Sequence, residues 1–440
     1  MPPALLNLPA EIHTEIASFL PGRDVKNLRL VCIKALERFP LKFSRIFLSP
    51  NKADIRVFHK VSRHKALRHQ VVELVWDHTY FPELFPKSRG EIGSELSGLQ
   101  LPDHMKQPDR YELDYDYSTN FSEPRCDTLS ICKCMEIYDT LARGQTKNIK
   151  SKKDLRALAY YIHRFPRLKK ITICHATQGW LFEPFYDTPT TRLLPQGFRY
   201  RINRCHTMRP YNEVAWSRIK REYPEYSRGY IGILNVLSLV GNSLEIEELS
   251  IQSNGLRHGL IAHFFNQATP EYHDFVAMLN RPTFRRLDLV LTTKSQNRIH
   301  WPAFRSGHLR HALGQAVNIQ HFSLTADMHT VELSEDNWTA LGQIIPADIW
   351  PLLRDFRLMD FLVKQDDLVT FLGTLPLNIR TIELGQLHFV DGHGDYATLL
   401  DSIKHELHWS DRQVAKQSRL TIIVTISELC STWHEELDRF

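Results

Sequence analysis

A six-residue pattern of apolar side chains recurs along this chain and constrains its fold more than any other feature. Each copy has an apolar residue, two polar or mixed residues, a second apolar residue, one polar residue and a third apolar residue. Such alternation predicts a strand with one buried face. Six clear copies and a weaker seventh begin at Leu168 (LKKITI), Ile246 (IEELSI), Phe284 (FRRLDL), Ile319 (IQHFSL), Leu353 (LRDFRL), Ile379 (IRTIEL) and, most weakly, Val71 (VVELVW).

The spacing of the copies indicates a repeated strand and helix. Starts from 246 onwards fall at 284, 319, 353 and 379, separated by runs of helical periodicity such as HDFVAMLN, LRHALGQAV and DDLVTFLGTLP. This arrangement resembles an irregular leucine-rich repeat, which implies an α/β solenoid with parallel strands on a concave face, covering helices, and RLTIIVTI as the last strand. These repeats are longer than the usual 20 to 29 residues or so, and they lack an Asn/Cys ladder. An ordinary α/β domain with a parallel sheet is the alternative.

Strand alternation also predicts which side chains face away from the core. They flank the second apolar position of each copy, and each strand contributes two of them. Both charge signs occur on neighbouring strands, which suits a patterned protein partner better than a polyanion such as nucleic acid. A solvated strand surface is the alternative. The predicted substrate contacts are Lys170, Glu248, Arg286, Asp288, His321, Asp355, Arg357 and Glu383, accompanied by the neutral Thr172, Ser250, Ser323 and Thr381.

Two long intervals between copies indicate insertions. Residues 86–128 carry nine acidic and five basic residues and are rich in Gly, Ser and Pro, which predicts a loop. Residues 175–228 reverse that balance and carry ten aromatic side chains, the residue types that interface hot spots favour. The second insertion is therefore a candidate partner contact, although its aromatics could equally fold over the edge of the sheet.

The N-terminal stretch LLNLPAEIHTEIASFLPGRDVKNLRLVC predicts short amphipathic helices. Pro9 suits the start of a helix, apolar residues recur every four positions from Leu8 to Leu20, and Pro21-Gly22 ends that helix before a second stripe begins at Val25. A unit of about 40 residues buries too little surface to be secure alone, so part of its apolar surface is expected to meet another body.

These residues resemble the F-box: Leu-Pro-x-Glu, a spaced Ile/Leu helix, a turn with Asp, then Leu and Val-Cys. KALERFPLKFSRIFLS is similar to the segment after the box in many fungal F-box proteins. The resemblance covers residues 5–48 and sets predicted domain limits of 1–48 and 49–440, with one departure, the extra Ile33 after Val-Cys. It implies a Skp-type adaptor as partner, contacted through Leu8, Pro9, Ile12, Ile16, Leu20, Val25, Leu28 and Val31. A helical hairpin packed on its own domain is the alternative.

Composition narrows the functional classes. An apolar content of 42% with 24% charged residues is that of a soluble globular chain, and a net charge of +5 is too small to indicate nucleic acid. Seven scattered cysteines and no apparent secretory signal predict an intracellular protein, cytoplasmic or nuclear or both. A basic, aromatic loop can also bind RNA, but no RNA-module signature accompanies residues 175–228.

Catalytic and metal-binding motifs are missing from the sequence. Neither HExxH, GxSxG, a Walker loop nor GxGxxG occurs, and the spacing of Cys126, Cys132 and Cys134 is poor for zinc. The expectation is a non-catalytic substrate receptor of a Skp-cullin-F-box ubiquitin ligase, without cofactor, metal or membrane contact, which brings an unknown protein to the cullin-RING ligase. A repeat scaffold that binds the adaptor without delivering a substrate is the second interpretation, and an enzyme of unknown type the third.

Overall fold

A computed structural model describes two bodies, here called the helical unit (residues 4–39) and the sheet body (residues 43–425). The described residues are 4–20, 22–39, 43–81, 129–174, 186–195, 227–252, 259–293, 301–328, 333–407 and 421–425, together with 177, 198 and 220. Each body has its own apolar core, and no buried apolar residue is shared between the two.

Thirteen α-helices occur in the described parts of the chain. They are α1 (Ala10–Phe19), α2 (Gly22–Arg29), α3 (Ile33–Arg38), α4 (Lys52–Arg63), α5 (Ile131–Lys150), α6 (Lys153–Tyr161), α7 (Arg228–Val240), α8 (Pro270–Leu279), α9 (Pro302–Arg305), α10 (His308–Gly314), α11 (Leu341–Ile344), α12 (Gln365–Gly373) and α13 (Tyr396–Glu406). The helical runs predicted between the later strands are confirmed as α8, α10 and α12.

Strands in the described ranges form one large sheet and one small one. They are β1 (Arg45–Leu48), β2 (Glu73–Asp77), β3 (Lys170–Cys174), β4 (Glu248–Gln252), β5 (Leu260–Ile261), β6 (Arg286–Thr292), β7 (His321–Ala326), β8 (Asp355–Met359), β9 (Leu362–Val363), β10 (Thr381–Gly385), β11 (His388–Phe389) and β12 (Thr421–Thr425). The large sheet runs β1-β2-β3-β4-β6-β7-β8-β10-β12 with β5 beside β6, and β9 pairs with β11. All these pairings are parallel, so the predicted α/β class with a parallel sheet is confirmed.

The apolar positions of the repeated pattern build the core of the sheet body. All eighteen of them in the six clear copies are buried, as are the three of the copy at Val71. They share one cluster with the apolar faces of the helices, including Leu234 of α7, Phe275 of α8 and Leu372 of α12. The helices therefore cover one face of the sheet. The other face, here called the polar face, carries the alternate side chains of each strand.

The predicted domain limit at residue 48 falls at the end of β1, the first strand of the sheet body. β1 pairs with β2 in the large sheet, with Arg45 opposite Glu73, so it belongs to the sheet body. Its segment FSRIFL repeats the apolar pattern from Phe43, with Ile46 and Leu48 buried, and this copy was hidden by the adjacent F-box resemblance. The last strand was predicted correctly, since β12 lies within RLTIIVTI beside β10.

Residues 86–128, the first predicted insertion, lie outside the described residues, and most of 175–228 does too. Among the helices that the structure describes, none combines the length and the apolar character that a membrane crossing needs.

Candidate interaction surfaces

The helical unit is held together by a small core. Its buried apolar side chains are those of Leu6, Ala17, Val25, Ala35 and Phe39. His13 is also fully buried, where its Nε2 lies 2.8 Å from the Leu5 carbonyl oxygen and its ring meets Phe39 edge-on at 5.0 Å. Arg29 donates to the carbonyl oxygens of Leu36 and Phe39, which ties α2 to the end of α3. Neither the role of His13 nor that of Arg29 could be read from apolar periodicity.

The helical unit exposes several large apolar side chains. Phe19, Leu30, Val31 and Ile33 are each between 71% and 83% exposed. Ile12 and Leu36 are also exposed, so six of the fifteen large exposed apolar side chains in the described residues fall within 25 positions. Ile12 and Phe19 lie seven residues apart on α1 and hence on one helix face. We call these six residues the apolar patch.

The eight residues predicted to contact an adaptor divide into two groups. Val25 is buried in the core of the unit, and Ile16, Leu20 and Leu28 are partly buried against that core. These four side chains stabilise the helical unit, and Val25 offers no surface to a partner. The other four are Leu8, which is partly buried, and Pro9, Ile12 and Val31, which are exposed.

Sequence reasoning missed the most exposed members of the patch. Phe19, Leu30 and Ile33 fall outside the F-box pattern, yet each is at least 75% exposed. Ile33 is the extra residue of the sequence pattern and is the first residue of α3. The available signal was the unbroken apolar run LVCI at residues 30–33, which is too long for one face of a short helix.

A line of charged and polar contacts crosses the polar face. All eight predicted substrate contacts take part in this line. The register places Glu73, Lys170, Glu248, Arg286, His321 and Asp355 side by side on consecutive strands. Opposite charges then meet at Arg45–Glu73 (2.6 Å), Lys170–Glu73 and Lys170–Glu248 (3.8 Å each), Arg286–Asp288 (3.0 Å) and Arg357–Glu383 (3.2 Å). Between them, Nδ1 of His321 lies 2.6 Å from Oδ2 of Asp355. The predicted alternation of charge is therefore satisfied within the protein.

The polar face is covered over its first strands and open over its later ones. Thr172 and Ser250 are buried, whereas Ser323 at the same row of β7 is half-buried and Arg357 of β8 is exposed. Thr381 of β10, the fourth neutral polar residue predicted on this face, is half-buried, as Ser323 is.

Tyr186, from the predicted aromatic insertion, lies over the covered strands. Its ring is 5.7 Å from that of Phe47 and 5.1 Å from the guanidinium carbon of Arg45, and its hydroxyl donates to Oε1 of Gln252 at 2.5 Å. Burial raises the pKa of Tyr186 to about 12. For this one aromatic residue, packing over the sheet is the observed role, and most of the other aromatics of the insertion lie outside the described residues.

Two buried carboxyl groups lie at the carboxyl ends of β1 and β2. Asp54 Oδ2 accepts hydrogen bonds from Ser49 and Thr190, and its Oδ1 accepts from the Thr190 backbone. Asp77 is fully buried and accepts a hydrogen bond from the Thr79 N–H at 2.9 Å. Burial raises the pKa of Asp77 to about 7, and the charge of Asp54 adds to that shift. The hydrogen bonds of Asp54, a residue of α4, link that helix to the segment around Thr190.

Of the three clustered cysteines, only Cys134 has a described side chain. It is buried beside Tyr138 in a small separate cluster with Phe81 and Phe198. No set of three or more potential metal ligands comes together in the ranges that the structure covers.

Comparison with known proteins gave no match, either to a protein-family model or to a curated protein.

Proposed function

We propose that this protein is the substrate-recognition subunit of a Skp-cullin-F-box ubiquitin ligase. The observation that carries the proposal is the apolar patch on a small helical unit whose sequence resembles the F-box. Six large apolar side chains exposed within 25 residues of one small unit are a costly surface for a free protein, and a concentration of exposed apolar surface is typical of protein–protein contacts.

The separation of the two cores supports separate roles for the two bodies, adaptor binding by the helical unit and substrate binding by the sheet body. Because no buried apolar residue is shared, the helical unit can bind an adaptor without rearranging the sheet body. In the family that the sequence resembles, a Skp-type adaptor bridges the box to a cullin-RING ligase. The protein would perform no bond chemistry itself and would act by raising the concentration of a bound target near the conjugating enzyme.

The sheet body fits the role of the substrate reader. Its parallel strands follow chain order, its helices lie on one face, and the opposite face of β6, β7, β8 and β10 is open. This is the arrangement of a leucine-rich-repeat-like solenoid, and we assign the body to that architecture as part of the proposal. The predicted contacts Arg286, Asp288, His321, Asp355, Arg357 and Glu383 all lie on this open part.

Co-expression with a Skp-type adaptor tests the first half of the proposal. The variant Ile12→Ser/Phe19→Ser/Val31→Ser should lose co-purification, since each truncated contact at an interface core is worth about 1–2 kcal/mol or more. A matched control makes the same kind of change at Leu239 and Leu400, two exposed residues of the sheet body. Co-purification of the patch variant at the wild-type yield would show that the adaptor assignment is wrong.

Proteasome inhibition separates a ligase receptor from a scaffold that binds the adaptor without delivering a substrate. A protein captured by the sheet body should accumulate on inhibition if the chain is a receptor, and its level should stay unchanged if the chain is a scaffold. Capture through the polar face is tested by Arg357→Glu, which places two carboxylates together at Glu383. The charge swap Arg357→Glu/Glu383→Arg restores the pair and controls for stability. Capture that is unaffected by both variants would exclude this part of the face.

A further inference from the structure

The same turn precedes five strands of the sheet body. In each, the N–H of the first apolar residue donates to the carbonyl oxygen three positions earlier, at 3.0–3.2 Å before β3, β6, β7, β8 and β10. Two residues therefore sit at each turn tip. Proline occupies the first tip position in three of the five turns, where its fixed φ favours the turn. The backbone thus presents equivalent tip residues on successive strands.

Four neighbouring tips are apolar and exposed. They belong to β6, β7, β8 and β10 and are Pro282, Val317, Pro351 and Leu377, with Leu352 beside Pro351. Val317 is 53% exposed and Leu377 76%. Because adjacent strands lie about 4.8 Å apart, the four tips form a stripe about 15 Å long. The Asn318 side chain donates to the Pro282 carbonyl oxygen at 3.1 Å and holds two of the turns together.

A row of arginines runs beside this stripe. The second position of the repeated pattern lies just before each strand. It is arginine before three of the four strands and glutamine before β7: Arg285 (β6), Gln320 (β7), Arg354 (β8) and Arg380 (β10). The carbonyl oxygens of Arg285, Gln320 and Arg354 each accept two hydrogen bonds from the segment that leads into the next strand, as when Arg380 and Thr381 both donate to Arg354. The four residues therefore lie in line across the sheet. All three arginines are exposed.

These three arginines differ in charge pairing from the other charged side chains of the repeated segments. Apart from His321 and Asp355, which contact each other at 2.6 Å, every other charged side chain in the described copies of the pattern has an opposite charge within 4.0 Å, including Lys169 with Glu247. Arg285, Arg354 and Arg380 have no such partner within the part of the chain that the structure describes. Among the described residues, the edge of the sheet therefore keeps three positive charges without an ion-pair partner, whereas most charges of the adjoining face are paired.

We propose that this edge, the turn-tip stripe with its arginine row, binds a segment of a partner protein that interleaves carboxylate and apolar side chains. Arginines match carboxylates in geometry and are enriched at interface hot spots, and the exposed apolar tips beside them offer contact surface to apolar side chains. A polyanion such as nucleic acid fits less well, since the paired carboxylates Asp288, Asp355 and Glu383 lie next along the same strands. The binding rests on geometry alone, and only its interpretation as substrate capture rests on the proposed function.

Fluorescence anisotropy on the full chain tests the inference. The probe is a labelled twelve-residue peptide, Glu-Leu-Glu-Phe repeated three times, compared with a peptide that has lysine for glutamate and one that has serine for the apolar residues. The wild-type protein should bind the first peptide at least tenfold more tightly than either comparison peptide, and raised salt should weaken that binding.

Variants locate the binding on the edge. Arg285→Glu/Arg354→Glu/Arg380→Glu should weaken binding of the first peptide at least tenfold, and Val317→Ser/Leu377→Ser severalfold. The matched control Lys52→Glu/Arg56→Glu/Lys60→Glu makes the same change of charge on the exposed side of α4 and should alter binding less than twofold. If the first variant melts at a lower temperature, glutamine at the same three positions replaces it.

Three results would overturn the inference. They are equal binding of the acidic and basic peptides, equal weakening by the edge and α4 variants, and unchanged binding in the edge variant. None of them touches the adaptor assignment, which depends on co-purification through the apolar patch. Conversely, a failure of adaptor binding with an intact peptide response would remove the ligase role and leave the edge site standing.

Discussion

The helical unit and the sheet body treat apolar side chains in opposite ways. The sheet body buries every apolar position of its six clear repeated copies and lines its polar face with paired charges. The helical unit buries five apolar side chains and exposes six large ones. Small bodies cannot bury as large a share of their surface as large ones, so size explains part of the difference. In the function proposed above, a partner covers these exposed apolar side chains.

The largest expected effect is on the free energy of unfolding, compared between a buried ring of the sheet body and an exposed ring of the apolar patch. Phe356 on β8 is buried among Phe322 and Phe371, so Phe356→Ala should lower the free energy of unfolding by about 3–5 kcal/mol. Phe19→Ala removes an exposed ring and should change it by less than about 0.5 kcal/mol. Urea unfolding of both variants measures the difference, and equal losses would mean that Phe19 is packed inside the protein.

The next effect concerns pH and is confined to the sheet body. Because burial raises the pKa of Asp77 to about 7, the folded state holds this proton between about pH 4 and 7 while the unfolded state has lost it. The contribution of Asp77 to stability is thus present below pH 4 and falls as the pH rises towards 7. Asp77→Asn removes the titration and keeps the acceptor for the Thr79 N–H.

The measurement is the difference in unfolding free energy between wild type and Asp77→Asn. It should shift in favour of the variant as the pH rises from 4 to 7, by up to about 4 kcal/mol at 1.36 kcal/mol per unit of pKa shift. Other groups titrate in the same window, such as His263, whose pKa burial lowers to about 4, but both proteins contain them. A constant difference across that range would contradict the buried state of Asp77.

A smaller effect distinguishes side chains that stabilise the helical unit from side chains that would bind the adaptor. Val25→Ala deletes two buried methyl groups and should destabilise the unit by about 2 kcal/mol. Leu30→Ala, at a residue 83% exposed, should leave stability unchanged and weaken adaptor binding instead. Hydrogen exchange of the α1–α3 amides reports the first change, and titration with adaptor the second. Reversed roles would place Leu30 in the core and Val25 at the interface.

The smallest effect is expected on the polar face. Arg357→Gln breaks a half-exposed ion pair with Glu383, and such pairs are worth about 0–1 kcal/mol. Thermal melting at low and high salt should therefore show a small shift that salt abolishes. A loss above about 2 kcal/mol would mean that the line of ion pairs acts as one cooperative network.

Local sequence pattern was enough to place most strands of the sheet body. An apolar side chain at the first, fourth and sixth position of a copy must face one side of a strand, and a buried side excludes other registers. That is why the strands from Leu168, Ile246 and Ile379 were predicted where they occur, and why the polar side chains between them were placed on the opposite face. The strand at Phe43 obeyed the same rule and was missed because its residues also matched another pattern.

The sequence by itself determined the strand pattern, the inward and outward faces, and the apolar excess near the N terminus, because each depends on residues a few positions apart. Only the tertiary structure decided which charges meet. Glu73 and Lys170, or Arg357 and Glu383, become neighbours through parallel pairing of strands far apart in sequence. The same pairing left Arg285, Arg354 and Arg380 without an ion-pair partner in the described segments, while Tyr186 covered the first strands and Asp77 was buried. These outcomes depend on which segments adjoin in space, and apolar periodicity carries no record of that.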